Sequence, residues 1–316
     1  MYLPDSGQKE LIVPRFVLRA YIAGLFFSMA LAAAGAQAAD MPSVAVIMSR
    51  SIPPYRKAIE GFKKALPCRT KVFEVKKERS FAEVAGEVKT EKPDLILAIG
   101  SSALRLAIDN FKKIPVVFSM VLSVPKLPKN VCGISMMLPA KVHLKGLKLV
   151  APSVKTIGIV YNPDNSGKRA DEFKAAAGKF GMQVAAIAIK SRKEAFSSIK
   201  LLSGRVDAVW MIMDKDVVAN FGLMLTLSVQ QKIPFATFSY RYVEKGALLA
   251  LCPKFAALGR QAGELAAKIL GGAPASKFGI AYPNSFYYSY NVKTGMKIQL
   301  GVPQAILKSE HRLYGN

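Results

Sequence analysis

The sequence predicts an α/β protein of two hinge-linked, Rossmann-like lobes, each built on a parallel sheet. From residue 44 onward, short apolar runs alternate with longer segments of helical periodicity, which is typical of a parallel sheet covered on both faces. The same order of motifs occurs twice at an offset of 113 residues, with Val44 matched by Ile157 and Asp94 by Asp207. A constant offset across two separate motifs indicates two topologically equivalent lobes.

The individual elements follow from hydrophobic periodicity and from glycine and proline boundaries. The predicted strands are 44–48, 71–75, 94–99, 115–119, 156–161, 182–189, 206–211 and 234–238. The predicted helices are 55–66, 80–90, 102–111, 168–180, 193–203 and 217–231. A further helix near 140–150 leads into the second lobe at Pro152, and the segment FAALGRQAGELAAKILGG predicts a helix that ends at Gly271-Gly272.

The N-terminal segment has the pattern of a secretory signal peptide at residues 1–38. Arg15 and Arg19 precede the apolar run 20–34, and small residues follow it. The run is short for a membrane span, and an uncleaved anchor is the alternative. We therefore expect a periplasmic protein without stable membrane insertion after signal cleavage.

The repeat and the proline and glycine boundaries predict where the two lobes begin and end. We expect an N-terminal lobe at 39–151 plus 279–316 and a C-terminal lobe at 152–278. In this division the aromatic tail YPNSFYYSY, with a short helix near 292–299, returns to the first lobe and makes a hinge of more than one strand.

Charge and cysteine content narrow the classes of partner. The chain has 45 Lys and Arg against 21 Asp and Glu, a net charge of +24, which suits anionic ligands, membrane surfaces or nucleic acid. The lysines are spread along helices without a nucleic-acid motif, so we expect solvated faces and no nucleic-acid partner. Cys68, Cys132 and Cys252 lack metal-ligand spacing, so no metal or other cofactor is expected; core packing is favoured, with one disulfide as the alternative.

The carboxyl ends of the predicted strands carry the candidate ligand-binding residues. In parallel α/β sheets, ligands bind beyond these ends, where helix N-termini direct N–H groups outward. Two such lobes facing each other form a cleft. The candidates are Ser49, Arg50, Tyr55, Gly100, Ser101, Ser102, Ser119, Tyr161, Asn162, Asp214, Ser239 and Arg241.

The turn after the third strand is expected to hold an anionic group. Gly100 lets the chain turn closely beneath a ligand, and Ser101 or Ser102 is expected to cap the following helix, which leaves N–H groups for a carboxylate. A cap without any ligand is the alternative. Asp214 occupies the corresponding place in the second lobe, where it suits an ammonium group or simply the positive end of its own helix.

Arginine and aromatic side chains supply further candidate contacts. Arg50 and Arg241 belong to opposite lobes, so a ligand would recruit both on closure, unless each is a solvated surface side chain. Tyr55, Tyr161 and Tyr240 offer stacking surfaces. Trp210, which lies inside a predicted strand, is instead expected in the core.

Catalytic motifs are incomplete. The turn at Gly100 departs from the G-x-S-x-G nucleophile elbow at Leu104, and the two histidines, His143 and His311, are expected at the surface. The segment NPDNSGKR lacks the leading glycine and the following Ser or Thr of a phosphate loop. We therefore expect no enzymatic activity.

Six motifs in order resemble those of the tryptophan/tyrosine-type substrate-binding proteins of ABC transporters: DLILAIGSSA, IPVVFSMV, NVCGISM, VKTIGIVYNP, VEKGALLAL and LGRQAGELAAKILGG. The resemblance covers nearly all of the chain after the N-terminal segment. It implies a periplasmic-binding-protein type I fold that holds a small molecule, an aromatic amino acid in the characterised branch, and delivers it to a membrane permease. It also implies that Gly100-Ser101-Ser102-Ala103 binds the ligand's carboxylate and that Asp214 faces its amine.

One loop departs from this pattern. Where relatives often carry an acidic loop, this chain has Phe238-Ser239-Tyr240-Arg241-Tyr242, which favours a more anionic or aromatic ligand. We expect a monomeric solute-binding protein with an ABC permease as partner. The alternative is a periplasmic sensory protein that presents its ligand to a membrane receptor or sensor kinase.

Overall fold

The computed structural model describes residues 41–76 and 79–315, and the predicted signal peptide lies outside the described residues. The strands are β1 (Ser43–Met48), β2 (Arg69–Glu74), β3 (Leu95–Ile99), β4 (Val116–Val121), β5 (Val131–Ser135), β6 (Thr156–Tyr161), β7 (Gln183–Ala188), β8 (Ala208–Trp210), β9 (Phe235–Thr237), β10 (Leu249–Pro253), β11 (Ile280–Ala281), β12 (Phe286–Asn291) and β13 (His311–Tyr314). The helices are α1 (Pro53–Ala65), α2 (Phe81–Thr90), α3 (Ser101–Asn110), α4 (Ala140–Val150), α5 (Pro163–Ala177), α6 (Arg192–Leu201), α7 (Lys215–Val218), α8 (Phe221–Gln231), α9 (Tyr240–Glu244), α10 (Phe255–Leu270), α11 (Val292–Lys297) and α12 (Gln304–Leu307).

The strands form two sheets, one in each lobe. The first has the order β11-β5-β4-β3-β1-β2, and the second has the order β13-β12-β10-β9-β8-β6-β7. All described pairings are parallel except that of β10 with β12. In both lobes the order reverses beside the first strand, between β1 and β3 and between β6 and β8. Such reversal points are where open α/β sheets bind ligands.

The two lobes repeat the same hydrogen bonds at the predicted offset. Asp94 Oδ2 accepts from the backbone N–H of Ser43 at 2.8 Å, and Asp207 Oδ2 accepts from that of Thr156 at 2.8 Å. Each aspartate therefore ties the start of the third strand of its lobe to the start of the first. The predicted equivalence of the lobes is confirmed.

Local sequence explains where the helices begin. Ser80 and Glu83 form a reciprocal capping box at the start of α2. Helix α5 begins five residues before the predicted 168, because the Asn162 side chain accepts from the N–H of Asp164 and Pro163 suits the first helical position.

The first lobe ends earlier than the predicted boundary at 151. Leu144 of α4 lies in the second core with Ile157, because the apolar face of α4 packs against α5 and β10. Strands β12 and β13 pair within the second sheet. The prediction that 279–316 returns to the first lobe is therefore wrong for all but the short strand β11.

Helix α10, predicted within the C-terminal lobe at 152–278, packs in the first lobe. Leu258 lies in the same core as Val44. The reason is a close helix pair with α1: a Cβ on Gly259 would lie 1.7 Å from the carbonyl oxygen of Ala58. Glycine at this crossing lets the two backbones touch and fixes α10 to the first lobe.

Three segments of the described chain connect the lobes, consistent with the hinge-linked fold. The first lobe comprises residues 43–137 and 254–281, and the second 138–253 and 286–315. Two connections are joined directly, because the N–H of Lys254 donates to the carbonyl of Ser285 at 3.2 Å. The connections leave β5, β10 and β11 at their carboxyl ends, so the carboxyl edges of both sheets border the space between the lobes.

Candidate functional site

At the carboxyl edge of the first sheet, the turn between β3 and α3 requires glycine. Gly100 is the N-cap of α3 and has φ +90°, in the region that disfavours L side chains. A Cβ at this position would lie 2.6 Å from the Tyr55 hydroxyl and 2.7 Å from Ser49 Oγ. Gly100 therefore leaves space for the Ser49 and Tyr55 side chains to reach the first turn of α3.

The cap of α3 comes from another strand. Ser49 Oγ, which is buried at the end of β1, accepts from the N–H of Ala103 at 2.9 Å. The expectation that Ser101 or Ser102 caps the helix is wrong; both side chains are exposed in the first turn. Their backbone N–H groups have no acceptor within the helix and lie at its positive end. This leaves two donors at the edge of the cleft.

Arg50 and Tyr55 lie beside this helix terminus. Arg50 is exposed, and its guanidinium interacts with the hydroxyl of the half-buried Tyr55. Burial raises the pKa of Tyr55, and the arginine's charge partly offsets that rise. The phenol is thus a neutral hydrogen-bonding group next to a positive charge.

Ser119 lies on the neighbouring strand and has an unused hydroxyl. Its carbonyl accepts from the N–H of Gly100 at 3.0 Å, and its side chain is fully buried. Among the described residues, Ser119 Oγ has no hydrogen-bond partner. The next residue, Met120, has φ +59° at a register shift in β4, and this bulge lies beside the site.

The equivalent edge of the second lobe is held together by Asp214. Only 2% of this residue is exposed. Its carboxylate accepts from the N–H of Asn162 at 3.0 Å, from Ser166 Oγ at 2.6 Å and from the N–H of Asp216 at 2.9 Å. Asn162 is itself buried and donates through Nδ2 to the Asp216 carboxylate at 3.1 Å. Asp214 therefore caps α7 and locks the β6 loop.

Ser239 and Arg241 lie at the start of α9, on the same edge. Ser239 Oγ accepts weakly from the N–H of Arg241 at 3.4 Å. Arg241 is exposed, and its guanidinium interacts with the Tyr240 hydroxyl, which raises the pKa of the arginine. This edge thus carries an arginine–tyrosine pair, as the first lobe does.

The second-lobe edge also carries an aromatic cluster that the sequence interpretation missed. The Tyr242 ring lies 5.4 Å from that of Phe238 and 5.1 Å from that of Phe221. The aromatic run FSYRY in the sequence indicates two members of this cluster, Phe238 and Tyr242. No pattern in the sequence singles out Phe221, the first residue of α8.

One candidate is not brought to the cleft. The ring of Tyr161 lies 5.0 Å below the ammonium of Lys174, eleven residues into α5. At 1.5 Å per residue, the backbone of Lys174 lies about 16 Å from the start of the helix. Tyr161 therefore packs along the flank of its own lobe.

The expectation that His143 lies at the surface is wrong. The residue is only 2% exposed, with its ring 4.7 Å from that of Trp210. Burial, together with the charge of Arg169, lowers the pKa of His143 well below 6.5. Trp210 lies in the core, as predicted.

Three other kinds of feature bear on the function of the described residues: metal sites, membrane-spanning helices and disulfides. No group of three or more His, Cys, Asp or Glu side chains is placed to hold a metal ion there. Across the same residues, no helix is long and apolar enough to span a membrane. The three cysteines are free thiols, and Cys132 and Cys252 are buried.

Two α/β lobes with ligand-type polar groups at their carboxyl edges define a bilobed binding protein. The chain belongs to the ABC transporter substrate binding protein family, whose model matches residues 43–313. The family resemblance and the type I fold are thereby confirmed.

Individual relatives agree with this assignment. A tyrosine-binding protein of Clostridioides difficile is 28% identical over 200 residues, which are 60% of this chain and 58% of that protein. The chain thus spans less than two thirds of that curated relative. A ligand-free, open substrate-binding protein with adhesive properties from Clostridium difficile matches with a TM-score of 0.73 at 24% identity, over 86% of this chain and 99% of the other. A domain in complex with L-Trp, from the organism given as Streptococcus pneumonia, matches with a TM-score of 0.60 at 24% identity, over 87% and 100%.

Proposed function

We propose that the protein is the solute-binding component of an ABC importer. It binds a small molecule, amino-acid-like or aromatic and anionic, between its lobes and delivers it to a membrane permease. Family membership supports this role, and the relatives named for tyrosine and L-Trp support an aromatic ligand. The observation that carries the proposal is the first turn of α3, at the reversal point of the first sheet, where the backbone N–H groups of Ser101 and Ser102 have no acceptor within the helix.

The carboxylate of the ligand binds at this helix terminus. The N–H groups of Ser101 and Ser102 donate to it, and the Arg50 guanidinium adds a charge-assisted contact. The Tyr55 hydroxyl, held over Gly100, donates a further hydrogen bond. Ser119, whose hydroxyl has no hydrogen-bond partner among the described residues, lies on the neighbouring strand and offers a further hydrogen bond to the ligand.

The second lobe closes over the rest of the ligand. Arg241 and Tyr240 supply charge and an aromatic surface, and Ser239 caps the helix that carries them. Asn162 joins the β6 loop to Asp214 on the same edge. Closure follows from higher ligand affinity for the closed arrangement. Asp214 acts by positioning the β6 loop.

We further propose that the mature protein acts in the periplasm as a monomer, after removal of residues 1–38. It has no enzymatic activity, binds no nucleic acid and makes no stable membrane insertion. Its second partner is the permease, which recognises the closed form.

A thermal-shift screen of residues 39–316 tests ligand binding. The panel contains aromatic and branched amino acids, aromatic acids, dicarboxylates, nucleosides and polyamines. A micromolar ligand at millimolar concentration adds about 4 kcal/mol to the free energy of unfolding, so the melting temperature rises clearly. A panel without any stabilising compound contradicts the proposal.

Uptake then tests the importer role. Cells lacking the gene should lose uptake of the radiolabelled hit and regain it with the wild-type gene. Unchanged uptake together with a lost transcriptional or chemotactic response to the hit would overturn the importer role in favour of sensing.

A further inference from the structure

Both lobes place an arginine next to a tyrosine at the edge of the cleft. On the first lobe Arg50 interacts with Tyr55, and on the second Arg241 interacts with Tyr240. Both arginine side chains are exposed, so their remaining N–H groups are available to a ligand. Two guanidinium groups from opposite lobes suit a planar anionic molecule.

The carboxylates at the same edges are mostly engaged by the protein itself. Glu74 accepts from the N–H of Ser51 at 2.8 Å. Glu194 accepts from the N–H of Lys190 at 3.0 Å. Asp214 has three internal donors and almost no exposed surface, as described above. These carboxylates therefore offer little to an ammonium group.

Asp216 follows the same pattern. Its Oδ2 accepts from the side-chain amides of Asn162 and Asn165, at 3.1 and 3.4 Å. Of the described acidic residues on the loops and first helical turns of these edges, Glu83, Asp164, Glu194 and Glu244 are exposed, and the carboxylates of Glu83 and Glu194 accept from the backbone N–H groups of Ser80 and Lys190. Asp164 lies in the first turn of α5, where its charge stabilises the helix terminus, and the charge of Glu244 acts on Arg241.

An ammonium group entering this cleft would lose water without gaining a dedicated carboxylate, which is unfavourable. A carboxylate gains two arginines and a helix terminus. An aromatic ring gains the cluster of Phe221, Phe238 and Tyr242. The charges and the aromatic surface of the cleft therefore both favour an aromatic carboxylate.

We propose that the cleft selects aromatic carboxylates that lack an α-ammonium group. The inference rests on the proposed function and names the substrate class of the same site. These ligands differ from aromatic amino acids only in the α-ammonium group, so matched pairs of compounds test the inference directly.

Isothermal titration of the wild-type mature protein with matched pairs tests the inference. The pairs are L-tyrosine with 3-(4-hydroxyphenyl)propionate, and L-tryptophan with indole-3-propionate; the members of each pair differ only in the ammonium group. We expect at least one deaminated acid to bind about tenfold more tightly than its amino acid. Equal or tighter binding of both amino acids would overturn the inference and leave the proposed function standing. If the wider screen also finds no ligand, the proposed function itself fails.

Charge-neutral variants locate the effect. Arg50→Gln and Arg241→Gln should each weaken binding of the deaminated acid by about tenfold at an unchanged melting temperature. Lys245→Gln, at the other end of α9, is the matched control and should leave the affinity unchanged. If both arginine variants bind as the wild type does, the arginines do not select the ligand and the inference fails.

Asp164→Asn provides an independent check. It should leave the affinity for both members of each pair unchanged. If it abolishes binding of L-tyrosine or L-tryptophan, Asp164 holds an ammonium group and the inference is overturned.

Discussion

Ser49 Oγ and the N–H of Ala103 form a 2.9 Å hydrogen bond that joins the end of β1 to the first turn of α3. The residues 113 positions later are Asn162 and Asp216, and there the intervening Asp214 carboxylate accepts from both backbone N–H groups. The first lobe therefore leaves its helix terminus open to a ligand, whereas the second closes the same place with its own carboxylate. This asymmetry within a repeated fold supports the proposal that the first lobe binds the anionic group of the ligand.

Ser49→Ala should lower the free energy of unfolding by about 1 kcal/mol, because Ala103 loses its cap. Ser102→Ala should change it by less than about 0.5 kcal/mol, since that hydroxyl is exposed. Urea denaturation of both variants measures the difference. A larger loss of unfolding free energy in the Ser102 variant would show that Ser102, and not Ser49, caps α3.

Asp214→Asn should cost about 2 to 3 kcal/mol, because a charged acceptor of three hydrogen bonds is replaced and an amide N–H₂ is turned toward donors. The exposed Asp164→Asn is the control, with an expected loss below about 1 kcal/mol. Calorimetric melting of the two variants distinguishes them. Similar melting temperatures would show that Asp214 does not hold the β6 loop.

Gly259→Ala should destabilise the protein by more than about 3 kcal/mol, because its Cβ would overlap the Ala58 carbonyl in the α1–α10 contact. Gly86→Ala is the matched control: nothing lies within 4 Å of its added Cβ, and alanine favours the interior of α2 by about 0.5 to 1 kcal/mol. Circular dichroism melts compare both with the wild type. Wild-type stability of the Gly259 variant would show that the helices are not in backbone contact.

Stability should fall as the pH falls below 6.5, through His143. The buried ring stays neutral in the folded protein, while the unfolded chain takes up a proton near pH 6.5, so each pH unit below that value costs up to about 1.4 kcal/mol. The groups facing the ring are Arg169, Phe173 and Trp210, and none of them is acidic.

Unfolding free energies of His143→Phe at pH 7.5 and 5 test this assignment. The variant should lose less stability over the interval than the wild type, because Phe does not titrate and the His143 Nδ1 atom has no partner to lose. His311→Gln should keep the wild-type slope. Identical slopes in all three proteins would exclude His143 as the cause.

Much of the fold could be predicted from the sequence because the repeat constrains it. Asp94 and Asp207 marked equivalent strands, and apolar runs such as that of β3 place buried parallel strands with few alternatives. Gly100 also identified the turn at the site correctly. A positive φ at this position could be expected because glycine adopts that conformation more readily than other residues.

The exchange of segments between the lobes could not be predicted in this way. The placement of α10 depends on a backbone contact between Gly259 and Ala58, 201 residues apart, and of β12 on pairing with β10. The cap by Ser49 is likewise a contact between strand ends. Burial of His143 depends on Trp210, which belongs to a distant strand. Each of these outcomes is decided by tertiary contacts that local periodicity does not encode.

Small-angle X-ray scattering of the mature protein tests the central claim, that a small molecule is bound between the lobes by closure. The radius of gyration should be measured without ligand and with a saturating amount of whichever matched-pair compound gives the larger thermal shift. A decrease on ligand addition, absent in Arg50→Gln at the same concentration, is the predicted result. An unchanged radius of gyration at saturation would contradict closure around the ligand.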